Sequence, residues 1–186
     1  MVSLTTTTST QDLEQILQLQ QCNLIKKLSD SERREQGFVT VEHTMDMLGQ
    51  MHALAPSIIV KENDSVVGYA LTMLRECRSI IPALVPMFDN LDQLQWKGKP
   101  MNDYRFYTMG QICIDKAYRG QGLFDQLYQK HKEVYSPQFD LLATEIATRN
   151  TRSIRAHERV GFKTIDVYRD ELDEWAVVVW DWEEGH

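Results

Sequence analysis

The sequence predicts a mixed α/β domain: a central sheet of about seven strands flanked by about four helices. Three observations carry that expectation. Two apolar stripes at helical spacing precede a pair of β-branched segments. A long alternating strand, residues 104–115, runs straight into a glycine-rich turn and a further helix. The remainder of the chain then reads strand, helix, strand, strand. A chain of 186 residues suits one domain, 1–186, whose core needs no covalent staples.

The elements follow in order. Val2, Leu4 and the threonine run at 5–10 read as an edge strand leading into a helix. Residues 11–28 place Leu13, Ile16, Leu17, Leu19, Leu24 and Leu28 at largely helical spacing, and residues 41–54 repeat the pattern with Met45, Leu48 and Met51. Residues 30–37 between them are polar, a loop or short helix. Strands at 57–61 and 65–71 flank Asn63-Asp64, a hairpin turn. Pro82 and Pro86 break the apolar stretch that follows, so residues 80–102 form an irregular insert between the third and fourth strands. Strand 104–115 contains Gly110, where glycine marks a bulge or a close backbone approach. The helix after Gly122 carries a stripe of Leu123, Leu127 and Val134, with Phe124 and Tyr128 alongside. A strand at 139–146 follows, then a short helix from Asn150 to Gly161, and strands at 162–168 and 174–182 close the chain.

Cys22, Cys77 and Cys113 are odd in number and widely spaced, which argues against disulfides or a zinc site, so no metal is expected. No apolar run approaches the roughly 20 residues of a membrane helix, and the N-terminus lacks the basic start and apolar stretch of a signal peptide. A cytoplasmic protein with no membrane partner is the expectation. The net charge of −7 argues against nucleic acid. Between Lys116 and Lys163, however, nine Lys/Arg stand against five Asp/Glu. A basic middle in an acidic chain suggests one local anionic ligand, although solvated basic helix faces would give the same count.

The chemistry-bearing segment is Tyr118-Arg119-Gly120-Gln121-Gly122-Leu123-Phe124. A helix start presents unpaired N–H groups and the positive end of the helix dipole, and glycines let that backbone approach a phosphate. Asp125 at the last glycine position rules out the dinucleotide fingerprint, and no Gly-Lys-Ser/Thr follows. A second block runs from Glu145 through Asn150 and Ser153 to Glu158-Arg159-Val160-Gly161-Phe162. Paired with Ile112-Cys113-Ile114 and Arg119-Gly120-Gln121-Gly122, this block resembles the GNAT superfamily of acyl-CoA-dependent N-acetyltransferases. The motifs span residues 112–162, and the element order extends the likeness over most of the chain. Two positions depart from the family pattern. Phe124 stands where a small residue is usual, so its ring must point into the core, and His157 stands where many members carry a tyrosine.

The resemblance implies transfer of acetyl from acetyl-CoA to a primary amine, small molecule or peptide, by direct attack. It implies that the backbone of Gly120, Gln121, Gly122, Leu123, Phe124 and Asp125, in a motif begun by Arg119, binds the pyrophosphate. The backbone of Ile112, Cys113 and Ile114 would pair with the pantetheine arm as an added strand. An amide near Cys113 or Ile114 would hold the developing oxyanion. Cys113 reads better as a small strand residue than as a nucleophile. Glu145 is the candidate base, since an alkyl amine of pKa roughly 10 must lose a proton before attack; its plainer reading is a strand glutamate paired with an arginine. His157 is the candidate acid for the departing thiolate, or simply a residue on a helix face with Ile154 and Val160. Asn150 is an N-cap that can also touch the cofactor. Arg149, Arg152, Arg155 and Arg159 are candidates for the adenosine 3′-phosphate. The insert at 80–102 is expected to wall the acceptor site with residues 30–40, or to form a homodimer contact. A catalytically silent acyl-CoA-binding sensor is the competing expectation; it would need neither Glu145 nor an open acceptor cleft.

Overall fold

Seven strands, β1 (Val2–Thr6), β2 (Ile58–Glu62), β3 (Ser65–Met73), β6 (Phe106–Ile114), β7 (Leu141–Ala147), β8 (Lys163–Arg169) and β9 (Glu174–Asp181), pair in the order β1-β2-β3-β6-β7-β9-β8, all antiparallel except β6 with β7. The computed structural model describes residues 1–24, 27–29, 31 and 39–185. β1 (Val2–Thr6) leads into helix α1 (Thr10–Asn23), whose start is set by a capping box between Ser9 and Asp12. The Asp12 carboxylate also meets Lys61 Nζ at 2.6 Å, tying α1 to the sheet. Helix α1 stops at Asn23, short of the predicted residue 28. Tertiary pairing ends it: the Asn23 carbonyl accepts from Val39 N–H and Leu24 bridges Val39. Helix α2 (Met45–Leu54) begins at the Thr44 cap, later than the predicted residue 41. The Val41 carbonyl is taken instead by the Gln111 side chain, and His43 N–H by Gln20 Oε1.

β2 (Ile58–Glu62) and β3 (Ser65–Met73) form the expected hairpin. The insert folds as two 3₁₀ turns, a short helix α3 (Val85–Leu91) and a small hairpin of β4 (Gln95–Trp96) and β5 (Lys99–Pro100). β6 (Phe106–Ile114), helix α4 (Leu123–Tyr135), β7 (Leu141–Ala147), helix α5 (Thr151–Val160), β8 (Lys163–Arg169) and β9 (Glu174–Asp181) complete the order. Five α-helices are thus present among the described residues, the fifth lying in the insert.

Side chains alternate across the strands, and the core divides accordingly into two layers. One face of the sheet packs against α1, α2 and the insert, with Leu141, Ala143, Val177 and Val179 as its floor. The other packs against α4 and the loop into β8, over Tyr107, Leu142, Ile146 and Val178.

The sheet is interrupted at one place. β6 and β7 pair only from Phe106 with Leu141 to Thr108 with Ala143, so beyond Ala143 the two strands part into a fork. Thr144 Oγ1 donates to the Met109 carbonyl at 2.8 Å and closes the apex. On the far edge of β6 the register with β3 shifts between Ala70 and Thr72, next to Gly110. A Cβ on Gly110 would meet the Met73 side chain at ordinary contact distance, 3.4 Å from Sδ, so this glycine marks the bulge and not a close approach.

Candidate active site

A cleft of about 710 Å³ opens between β6 and the N-terminal ends of α4 and α5. Ile112, Cys113 and Ile114 form its strand wall, and Gly120, Gly122 and Leu123 its turn. Asp115 N–H donates to the Val67 carbonyl, and antiparallel alternation then turns the amides of Ile114 and Ile112 away from β3, toward the fork. The Cys113 amide points the other way, to β3. Burial pushes the Cys113 thiol up to about 12, so a thiolate nucleophile is disfavoured there.

Gly120 and Gly122 have φ of +75° and +74°, a left-handed backbone that side chains resist. A Cβ at Gly120 would meet no atom within 4 Å, so the surface there is open. Gly122 is the N-cap of α4 and supplies no side-chain cap, which leaves the first-turn amides of Leu123, Phe124 and Asp125 for an incoming acceptor. Asp125 would repel an anion at this point, but Arg159 Nη2 holds its carboxylate at 2.8 Å. A pyrophosphate fits such a donor set. Gln121 does not line the cleft; its amide donates back to the Ala117 carbonyl.

Arg119 lies along the cleft floor, its Nε donating to the Ile114 carbonyl at 3.0 Å and its Nη2 to Asn23 Oδ1. Asn150 is buried, caps α5 by accepting from Ser153 N–H and also lines the cleft, so both readings of it are compatible. Arg152, Arg155 and Arg159 line the mouth, whereas Arg149 is ion-paired with Asp173 and does not.

Residues 13–162 match the model of the Acetyltransferase (GNAT) family. The chain belongs to this family. No curated sequence matches it. Among solved structures, it is similar to the ribosomal-protein-S18-alanine N-acetyltransferase from Escherichia coli, with a TM-score of 0.65 at 14% identity over 97% of this chain and 94% of that one. Ard1 from Thermoplasma volcanium gives 0.65 at 14% identity, covering 97% of each chain. A spermidine N-acetyltransferase SpeG chimera from Vibrio cholerae and hSSAT gives 0.60 at 12% identity over 98% and 96%. These likenesses establish the GNAT fold. The family match supports an acyltransferase framework.

In this GNAT domain Glu145 does not line the cleft; it stands past the parting of the strands. It lies two residues beyond the last β6–β7 pair, across the fork from Gly110 in register, and on the face that carries α1, α2 and the insert. Its partner is a tyrosine and not an arginine: Tyr168 Oη donates to Glu145 Oε2 at 2.5 Å. Burial pushes the carboxyl up to about 7, with Tyr168 opposing the shift and Asp170 adding to it.

His157 is placed differently from the expected proton donor. It is 1% exposed, enclosed edge-on by Phe124, Tyr128 and Phe162, and absent from the cleft wall. Nδ1 faces the Ser153 carbonyl at 2.7 Å and so carries the proton, while Nε2 accepts from Tyr128 Oη at 2.6 Å. Burial drives its pKa down to about 4. Both nitrogens are committed, and the ring is a neutral core element. Phe124 packs on the same histidine while also touching the cleft, so only part of its ring is withdrawn from the cofactor side.

Three residues that matter here carried no signal in the sequence. Asn23 and Val39 reach the cleft from the ends of a segment distant in sequence, and Tyr168 reaches Glu145 from β8. Tyr118, read only as part of the turn, lines the cleft and donates to Glu62. Of residues 30–40, only Ser31, Val39 and Thr40 are among the described residues, so the expected wall from that segment lies largely outside them. The insert packs on the Glu145 face, where Asn90 Nδ2 donates to Asp166 Oδ2 on β8 at 3.0 Å.

Proposed function

We propose that this protein is an acetyl-CoA-dependent N-acetyltransferase that transfers acetyl to a primary amine by direct attack. The observation that carries the reading is the fork. It joins a phosphate-ready helix start on one face of the sheet to a carboxyl poised near neutrality on the other. In this reading the amides of Gly120 and of Gly122 through Asp125 bind the pyrophosphate, and the outward amides of Ile112 and Ile114 pair with the pantetheine arm. When bound, acetyl-CoA supplies an activated thioester carbonyl.

Glu145, in its carboxylate form, takes a proton from the ammonium group of the acceptor, directly or through one water. The freed amine then attacks the carbonyl, with the Ile114 amide donating to the oxygen that gains charge. The C–S bond breaks, the second proton of the nitrogen passes to the departing sulfur or to water, and His157, whose nitrogens are both occupied, takes no part. A base with a pKa close to the working pH is the efficient choice for this step. The acidic residues that surround Tyr168, namely Glu145, Asp166 and Asp170, favour a cationic acceptor. The spermidine acetyltransferase among the structural neighbours makes a polyamine one reasonable probe and the alanine N-acetyltransferase makes a peptide N-terminus another.

Free-thiol release from acetyl-CoA against a panel of polyamines, amino-terminal peptides, lysine peptides and aminoglycosides tests the proposal. Turnover on at least one primary amine is expected. Tight acetyl-CoA binding without turnover on any of them would favour the silent sensor instead.

A further inference from the structure

Tyr168 has no counterpart in the motifs that define the site, yet it makes the one hydrogen bond recorded for the Glu145 side chain among the described residues. It sits in β8, an edge strand next to β9, and half-buried against the α1–α2 face of the core. Glu145 pairs with Val177 of β9, and β9 stands between β7 and β8. The phenol therefore reaches across a whole intervening strand to the carboxylate. A surface tyrosine with a merely solvated hydroxyl would not need that span.

The charges around the pair make the contact consequential. Asp170, in the turn after β8, raises Glu145, and Asp166 of β8 adds to the negative field at Tyr168. From the insert, α3 contributes the neutral amide of Asn90, which is bonded to Asp166; from β6 the neighbouring polar group is the neutral amide of Gln111, bonded to Tyr69 and Val41. β9 places apolar Val177 opposite. Burial and like charge thus both favour the protonated acid, and the Tyr168 hydroxyl is the group that opposes them. A hydrogen bond donated to a carboxylate stabilises its ionised form.

We infer that Tyr168 is a positioning residue for amine deprotonation: by donating to Oε2 it holds the Glu145 side chain at the fork in its proton-accepting form. This rests on the proposed role of Glu145 as base. Tyr168→Phe keeps the ring and its packing and removes only the donor. Without the donor the carboxyl should titrate about one pH unit higher, the scale expected for losing a hydrogen bond to a charged group.

The test uses protein labelled with ¹³C at glutamate side-chain carboxyls, the Glu145 resonance being the one missing from Glu145→Gln. Tyr168→Phe is expected to raise the Glu145 midpoint by about one unit. It should move the rising limb of the kcat/KM profile by the same amount, cut the rate at pH 7 roughly 3- to 10-fold and restore it at pH 9. The Kd for acetyl-CoA should not change, which also reports an intact fold. The rate arm uses whichever amine of the panel the wild type acetylates. An unmoved Glu145 midpoint overturns the inference, as does a moved midpoint with an unmoved rate profile. A wild-type rate profile in Glu145→Gln would instead remove the base assignment itself, so the two failures are separable.

Discussion

The two sides of the fork are made of different materials. On the α4–α5 side, the proposed site is backbone: left-handed glycines, first-turn amides and outward strand amides, with an arginine cancelling the charge of Asp125. On the α1–α2 side, the proposed site is side chains: Glu145 of β7 and Tyr168 of β8, joined by a hydrogen bond across β9. A backbone site tolerates many sequences but not a Cβ at a left-handed position; a side-chain site tolerates backbone change but not the loss of one functional group. Substitutions on the two sides should therefore fail in different assays.

The largest effect is expected on the side-chain half. Glu145→Gln should lower kcat/KM at neutral pH by roughly 10²- to 10⁴-fold, the usual range for a positioned general base. Its Kd for acetyl-CoA should stay at the wild-type value. Stopped assays across pH 6 to 9 check the first expectation and calorimetric titration the second; weakened acetyl-CoA binding in this variant would erase the division between the two halves. Next comes the backbone half. Gly122→Val forces a β-branched residue to φ of +74°, a strain of order 1–3 kcal/mol, and turns the first-turn amides out of line. Acetyl-CoA affinity should fall about 100-fold or more, with a far-UV spectrum unchanged. Retained affinity would show that the amides are not the anchor.

This division also explains what could be read before the structure was known. The donor half is contiguous: strand end, turn and helix start lie within residues 112–125, and positive-φ glycine chemistry is written in the residues themselves. The order of elements along the chain and the Asn150 and Gly161 boundaries of α5 are legible for the same reason. The proposed acceptor half is assembled from afar. Gln111 holds Val41, Asn90 holds Asp166 and Tyr168 holds Glu145, contacts that no local pattern encodes. The sequence carries α1 on to residue 28 because Leu24 and Leu28 continue a helical stripe, whereas pairing with Val39, decided by tertiary contact, ends the helix at Asn23. For His157 the sequence leaves two readings open, a proton donor and a residue on a helix face. Its position in the motif suggests a proton donor, but only packing reveals that Phe124, Tyr128 and Phe162 close around it.

Buried histidines sharpen the comparison, because they lie on both sides. His131 and His157 sit in the core under α4 and α5, and His43 in the segment before α2, with pKa values driven down by burial to about 3, about 4 and about 4. Each folded value lies below the ordinary 6.5, so the unfolded chain binds protons first as pH falls. Stability from these groups is complete above pH 6.5 and is lost as pH drops from there toward 4. At pH 5 each histidine should contribute about 2 kcal/mol of destabilisation relative to pH 7.5. Urea titrations at both pH values check this. A flat profile would mean that the rings are not held neutral in the fold. The His→Phe variant in which the loss between pH 7.5 and pH 5 shrinks most would show which face yields first.

The smallest effect belongs to the exposed arginines, and it probes the one place where the donor half does depend on side chains. Arg155 is exposed and lines the cleft mouth, whereas Arg149 is committed to Asp173 away from it. An exposed charge contact contributes only about 0.2–1 kcal/mol, so Arg155→Ala should weaken acetyl-CoA binding by roughly 2- to 5-fold. If the contact is to the 3′-phosphate, the loss should vanish for dephospho-CoA and shrink as salt is raised, because screening weakens exposed pairs first. Arg149→Ala should leave both ligands unaffected. An equal loss for CoA and dephospho-CoA would place the arginine on the pyrophosphate instead. The donor half would then share its anchor between backbone and side chain, and the sharp division between the two sides of the fork would have to be redrawn at the mouth of the cleft.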